Sequence, residues 1–176
     1  MISEFTIRKL PEDSAPKLQQ IELNAGRRFA DIGMPKVAYA PPTDIRILQD
    51  AARLGYLWGA FLSDELTGFI LCDHIDDHFL IRQLSVLPGH AGLRIGSHLI
   101  EKARQKAKRI GCGRLILSTF RQVPWNAPYY EKLGFEIVSS EDFPDFIHHL
   151  RSVEARRLDM ADRLIMQRSV EKQVTE

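Results

Sequence analysis

Apolar residues recur along this chain with two different periods, and the change of period falls at one place. Phe79-Leu80-Ile81, continuing to Leu84 and Val86, predicts a strand. Pro88 ends it, because proline has no N–H to give to a ladder. Ile95, Leu99, Ala103 and Ala107 then repeat at helical spacing. Glu101, Lys102, Arg104, Gln105, Lys106, Lys108 and Arg109 cover the other faces, and Gly111 closes the predicted helix. Between strand and helix lies a glycine-bearing loop, Gly89-His90-Ala91-Gly92-Leu93-Arg94-Ile95-Gly96-Ser97.

The same reading extends both ways. Phe5 to Leu10 predicts a first strand. Pro11 to Ser14 predicts a helix start with Asp13 or Ser14 as cap, and the helix carries Leu18, Ile21, Leu23 and Ala25. Arg27 to Pro42 is rich in turn signals. Thr43 or Asp44 caps a second helix through Ile45, Leu48 and Ala52, closed by Gly55. Tyr56 to Leu62 and Leu66 to Cys72 predict two strands, with Gly68 as a bulge or close-packing point and Trp58 in the core. Residues 73–78 form a polar connection. Beyond Gly111 come a strand over Arg114 to Phe120, a short helix over Tyr129 to Leu133 ended by Gly134, and a strand restarting at Phe135 to Val138. A helix through Phe146, Leu150 and Val153 follows, then a last strand over Leu164 to Gln167 and a frayed tail to Glu176. A helical crossover between the strands at 79–86 and 114–120 predicts that they run parallel. The class is α/β.

Composition narrows the function. The 176 residues are 44% apolar and 27% charged, values of one ordinary soluble domain. A net charge of +1 argues against a general nucleic-acid binder. Cys72 and Cys112 make no disulfide framework, and no Cys/His cluster suggests a metal. His74, Asp76 and His78 read as a hairpin surface, and His148-His149 likewise. The N-terminus has no signal-peptide pattern, and the longest near-apolar run, Leu54 to Leu62, is too short to span a membrane. The expected setting is the cytoplasm.

A loop that opens a helix can hold an anion, since the first helical N–H groups have no partner within the helix. On its own the loop reads as an ordinary strand-to-helix turn that binds nothing; it is neither G-x-G-x-x-G nor a P-loop. A second motif changes that balance. The loop resembles motif A of the GNAT superfamily of N-acetyltransferases, Gln/Arg-x-x-Gly-x-Gly/Ala, at Ala91, Gly92, Leu93, Arg94, Ile95 and Gly96. Asn126-Ala127-Pro128-Tyr129-Tyr130-Glu131-Lys132-Leu133-Gly134-Phe135 resembles its motif B. The two motifs stand in the family's order and at its separation, and the resemblance covers roughly Phe5 to Gln167. Ala91 departs from the usual Gln or Arg, and Arg94 replaces the first glycine.

The resemblance implies one GNAT-like domain over residues 1–176, with a mixed central sheet of about seven strands flanked by helices. It implies acetyl transfer from acetyl-CoA to a primary amine by direct attack in a ternary complex. Leu84, Ser85 and Val86 are expected to pair with the pantetheine arm, with the Val86 N–H facing the thioester carbonyl. Ala91, Gly92, Leu93, Arg94, Ile95, Gly96 and Ser97 are expected to hold the pyrophosphate. Asn126 and Tyr130 join them as cofactor contacts. Tyr130 is the expected general acid, and Glu22 the preferred base over Asp73, Asp76 or a water. Trp125 either lines the acceptor pocket or packs its loop. The acceptor is a small-molecule or peptide amine; neither nucleic acid nor membrane is expected as a partner, and a homodimer is a fold-level expectation. The rival is a catalytically degenerate acyl-CoA-binding or regulatory module of the same fold, which Ala91 and Arg94 keep open. A dinucleotide-binding domain lacks its glycine fingerprint and acidic residue.

Overall fold

The apolar runs become strands and the helical stripes become helices, in the order β1 (Phe5–Lys9), α1 (Ala15–Gly26), α2 (Pro35–Ala38), α3 (Ile45–Leu54), β2 (Leu57–Leu62), β3 (Glu65–Ile75), β4 (His78–Val86), α4 (Ile95–Arg109), β5 (Arg114–Phe120), α5 (Ala127–Lys132), β6 (Glu136–Ile137), α6 (Asp145–Glu154) and β7 (Arg163–Ser169). The computed structural model describes residues 5–171, so the tail expected to fray from 172 onward lies outside the described residues. The seven strands form a sheet in the order β1-β2-β3-β4-β5-β7-β6. Among the described residues no helix is long and apolar enough to cross a membrane. These residues divide into two compact units, one of 5–73 with 81–104 and the other of 74–80 with 105–171.

In the first unit β1 pairs antiparallel with β2, and β2 with β3. Leu18 and Ile21 of α1 and Leu48 and Ala51 of α3 pack with Leu10, Leu57, Phe69 and Leu71 into one core. Asp44 caps α3 as its sequence suggests, accepting from the Arg46 N–H at 2.7 Å, and Gly55 closes it in the left-handed region at φ 72°. Two local expectations shift. Neither Asp13 nor Ser14 makes a side-chain cap: a 3₁₀ turn over Glu12–Ser14 leads straight into α1. Leu23 is exposed, because only Ala15, Leu18, Ile21 and Ala25 of α1 turn inward.

The connection at 73–78 is shorter than its polarity suggests. β3 extends to Ile75, β4 begins at His78, and Asp76 takes φ 53° in the turn between. Gly68 does mark a bulge. The β2–β3 register shifts there, with Ala60 opposite Gly68 and Phe61 opposite Leu66. A Cβ on Gly68 would stand 2.8 Å from the Ser85 carbonyl oxygen.

In the second unit β7 pairs antiparallel with β5 on one side and with β6 on the other. Ile147 of α6 is fully buried with Leu80, Ile116, Val138 and Ile165, and Phe143, Phe146 and Leu150 pack against them. Val153, expected on that face, is exposed.

The Gly68 geometry gives a direct expectation. A methyl group there meets backbone rather than a movable side chain, so Gly68→Ala should destabilise the protein by about 1–3 kcal/mol. Urea denaturation measures it; a wild-type midpoint would show that β3 and β4 can separate at no cost.

Candidate active site

β4 hands the chain to the loop at a fixed point. The Leu87 N–H donates to the Thr67 carbonyl at 2.8 Å, and Thr67 is itself held by its hydroxyl, which donates to the Ala60 carbonyl at 3.1 Å. A 3₁₀ turn over Pro88–His90 follows. Gly92 then takes φ 87° and Arg94 φ 59°. Gly92 is glycine for its backbone angle and not for space, since an added Cβ would meet nothing within 4 Å. Arg94 is a non-glycine residue held in the left-handed region, at the position where the resembling motif has glycine.

The Arg94 carbonyl organises the start of α4. It accepts from Ser97 Oγ at 2.8 Å, from His98 Nδ1 at 2.8 Å and from the His98 N–H at 3.2 Å. Ile95 is buried and pins the first turn. The N–H groups of Ile95, Gly96 and Ser97 precede the first intrahelical bond and are unmatched within the helix. Ala91, Gly92, Leu93 and Arg94 are exposed, Gly96 and Ser97 half-buried. His90, in the same loop, has a buried Nδ1 with no partner. Together these make a cradle of backbone donors beside one exposed cation, suited to a phosphate or pyrophosphate.

Ahead of the loop, Ser85 is buried and its Oγ accepts from Gln83 Nε2 at 2.8 Å. Leu84 and Val86 are half-buried. Gly68 lies against Ser85 and Val86, so the last residues of β4 are backed by the main chain of β3.

Glu22, on α1, is tied to the segment that precedes α3. Its Oε2 accepts from the Thr43 N–H at 3.0 Å and its Oε1 from Thr43 Oγ1 at 3.1 Å. Gln19 Nε2 donates to the Thr43 carbonyl at 2.8 Å. Burial pushes the Glu22 carboxyl above its ordinary value, against the two Thr43 hydrogen bonds, which act to lower it. Sequence reading missed Thr43 in this role because the pair is separated by 21 positions and no local pattern connects it. Asp73, a competing base, pairs with Arg82 at 3.2 Å.

Tyr130 and Asn126 belong to the second unit. The Asn126 carbonyl starts α5 by accepting from the Tyr129 and Tyr130 N–H groups at 2.9 and 3.0 Å. The Asn126 side chain does not cap the helix; its Oδ1 accepts from Thr119 Oγ1 at 3.0 Å and ties α5 to β5. The half-buried Tyr130 ring meets Tyr129 and Phe135 edge-on, with centroids 5.5 and 5.6 Å away. Gly134 closes the helix at φ 83°.

The sequence model of the acetyltransferase (GNAT) family matches residues 25–135. The chain belongs to that family. Solved GNAT structures share its fold. PaiA N-acetyltransferase from Thermoplasma acidophilum, in complex with coenzyme A, superposes with a TM-score of 0.66 at 18% identity, over 94% of this chain and 99% of that one. N-acetylglutamate synthase from Neisseria gonorrhoeae, complexed with coenzyme A and N-acetyl-glutamate, gives 0.72 at 16% identity, over 97% of this chain but only 36% of the larger protein. Arabidopsis thaliana Naa50, in complex with the bisubstrate analogue CoA-Ac-MVNAL, gives 0.66 at 16% identity, over 94% and 98%. In this GNAT chain the residue ahead of α4, Arg94, takes a backbone conformation that favours glycine.

The Glu22 environment has a pH consequence. Its folded-state pKa lies above the ordinary 4.5, so the folded protein holds this proton more tightly than the unfolded chain. That stability is fully present below the ordinary value and is lost as pH rises through the folded one. Glu22→Gln should remove the dependence: relative to wild type, the variant gains stability as pH rises through this window and levels off above it. Urea midpoints from about pH 4 to 8 test the sign; a constant difference would show that Glu22 titrates as it does in the unfolded chain.

Proposed function

We propose that the chain is an acetyl-CoA-dependent N-acetyltransferase that moves an acetyl group to a primary amine by direct attack in a ternary complex. The observation that carries this reading is the cradle from Leu84 to Ser97. It has left-handed turns at Gly92 and Arg94, and the first three N–H groups of α4 have no helical partner. The coenzyme A found in the GNAT structures above supports the same cofactor here.

In this reading the N–H groups at Ile95, Gly96 and Ser97 bind the pyrophosphate, and Arg94 adds a charge-assisted contact in place of the side chain that Ala91 lacks. Leu84, Ser85 and Val86 align the pantetheine arm along their backbone, and the Val86 N–H takes the growing negative charge on the carbonyl oxygen. The amine nitrogen attacks the carbonyl carbon and the carbon–sulfur bond breaks. Glu22 takes the amine proton; each of its oxygens accepts one bond from Thr43 and keeps a further lone pair. A carboxyl raised by burial is a stronger base than an exposed one. Tyr130 gives its phenolic proton to the leaving thiolate. The acceptor is a small-molecule or peptide amine, a range spanned by N-acetylglutamate synthase and Naa50. A homodimer as the assembly and the cytoplasm as the setting complete the reading.

The departures at Ala91 and Arg94 favour one other reading, a degenerate acyl-CoA-binding module. Binding and turnover separate the two. Acetyl-CoA should raise the melting temperature of the wild type by mass action. Gly96→Glu should abolish that shift, because a carboxylate enters the anion cradle. A shift of wild-type size in Gly96→Glu would remove the loop from the site. A screen of amines that follows thiol release decides turnover: binding without release from any acceptor would favour the binding module.

On the first productive acceptor, Tyr130→Phe should lower kcat by roughly 10-fold or more, up to the 10²–10⁴ range of general acid catalysis, with acetyl-CoA affinity nearly unchanged. The variant keeps the ring and loses the phenolic hydroxyl, and with it the proton. Steady-state kinetics with Tyr129→Phe alongside reads this out. Adjacent helical residues face about 100° apart, so a loss confined to Tyr129→Phe would move the role one residue back.

A further inference from the structure

The second unit contains an open pocket of about 510 Å³ that the acetyl-transfer reading does not use. Three arginines line it: Arg121 just after β5, Arg151 on α6 and Arg163 at the start of β7. Ser139 and Ser140 add hydroxyls, and Phe143, Leu164 and Ile165 add apolar wall. No lining residue carries a carboxylate.

The arginines differ in how far their charge is matched. Arg163 is held on several sides. Its Nη2 donates to Glu154 Oε1 at 2.6 Å and to Ser118 Oγ at 2.8 Å, and its guanidinium lies 4.5 Å from the Phe120 ring centroid. The Ser118 hydroxyl donates in turn to Glu154 Oε2 at 2.9 Å. The Arg163 side chain is only 10% exposed, yet its Nε is buried without a partner. Glu154 cancels one positive charge. Arg121 and Arg151 form no ion pair among the described residues; Arg151 packs on the Phe143 ring at 5.5 Å. Two unneutralised guanidiniums, on the exposed Arg121 and the half-buried Arg151, therefore share one concave, partly apolar space.

We infer that this pocket binds a small organic dianion, a dicarboxylate or a phosphate monoester, whose charges meet Arg121 and Arg151 and whose body lies against Phe143 and Leu164. Guanidiniums bind both head groups in bidentate fashion, and the volume falls within the range of small-molecule sites, about 300–1,000 Å³. The pocket holds this chemistry whether or not the chain transfers acetyl groups.

Calorimetry on the full chain at low ionic strength, without acetyl-CoA, tests this with glutarate and glycerol phosphate as the two dianions and butyrate as the single-charge control. At least one dianion should bind saturably, and at least about tenfold more tightly than butyrate. The tighter of the two identifies the head group. Arg121→Gln and Arg151→Gln should each weaken binding by about tenfold or more while melting near wild type. Gly96→Glu serves as a control for phosphate captured by the α4 loop, and should leave binding intact. Absence of saturable binding by either dianion, affinity unchanged in both arginine variants, or loss confined to Gly96→Glu would each overturn the inference.

Discussion

How closely β3 approaches β4 at Gly68 sets where the loop ahead of α4 begins. The two main chains are near enough that a single methyl group would sit 2.8 Å from the Ser85 carbonyl oxygen. The bulge that makes this approach is secured by side chain and backbone together: Thr67 spans to Ala60 through its hydroxyl and receives the Leu87 N–H on its carbonyl. Leu87 is thereby fixed before Pro88 turns the chain, and Ile95, buried at the other end, fixes where α4 begins. A loop of exposed residues stretched between two anchored ends has few conformations left. A surface segment gains preorganisation in this way without packing of its own, as the proposed anion binding requires.

Two polar ties elsewhere follow a common logic with different charge. Glu22 and Thr43 join α1 to the residues ahead of α3 through one carboxylate and a neutral partner. Arg163 and Glu154 join β7 to α6 through opposite charges only 10% and 15% exposed. A buried ion pair stabilises little relative to apolar packing, but removing one partner costs about 3–5 kcal/mol because the other is stranded. The pair therefore fixes geometry more than it adds stability. Ile147 already buries α6, while Glu154 and Ser118 set the orientation of the Arg163 guanidinium.

What the sequence made legible was whatever is encoded within one element or at its ends. The Ile95, Leu99, Ala103 and Ala107 stripe is buried as its period demands, and the Asp44 and Gly55 ends of α3 form as their residue types dictate. β5 matches its apolar run end to end. Failures arose where local preference met a stronger tertiary demand. Ser14 could cap α1, but a preceding 3₁₀ turn already supplies the geometry. The polar residues at 73–78 looked like a loop, yet strands can carry polar side chains on an open face, and only Asp76 and Asp77 remain between β3 and β4. The candidate site was legible as two motifs and no further. Glu22 meeting Thr43, Thr119 meeting Asn126, and arginines from positions 121, 151 and 163 lining one pocket are products of tertiary folding. Nothing in their spacing announces them.

Arg94 breaks local rules twice, in its backbone and in its charge, and the direction of each violation is informative. A non-glycine residue in the left-handed region costs roughly 1–2 kcal/mol. Its carbonyl recovers some of that by receiving two side-chain donors, from Ser97 and His98, at about 0.5–1.5 kcal/mol each. The charge is a separate matter. A cation at a helix N-terminus opposes the helix dipole by a few tenths of a kcal/mol up to about 1. Hydrogen bonding therefore accounts for the backbone and leaves the guanidinium unexplained, exposed beside donors that already carry positive potential. An anion held by the N–H groups of Ile95, Gly96 and Ser97 reverses that sign: the same guanidinium becomes a partner, and the dipole and the cation then act together. Strain and adverse charge in the free protein thus become favourable terms in the bound one. This is the pattern expected where a sequence gives up local stability for a ligand.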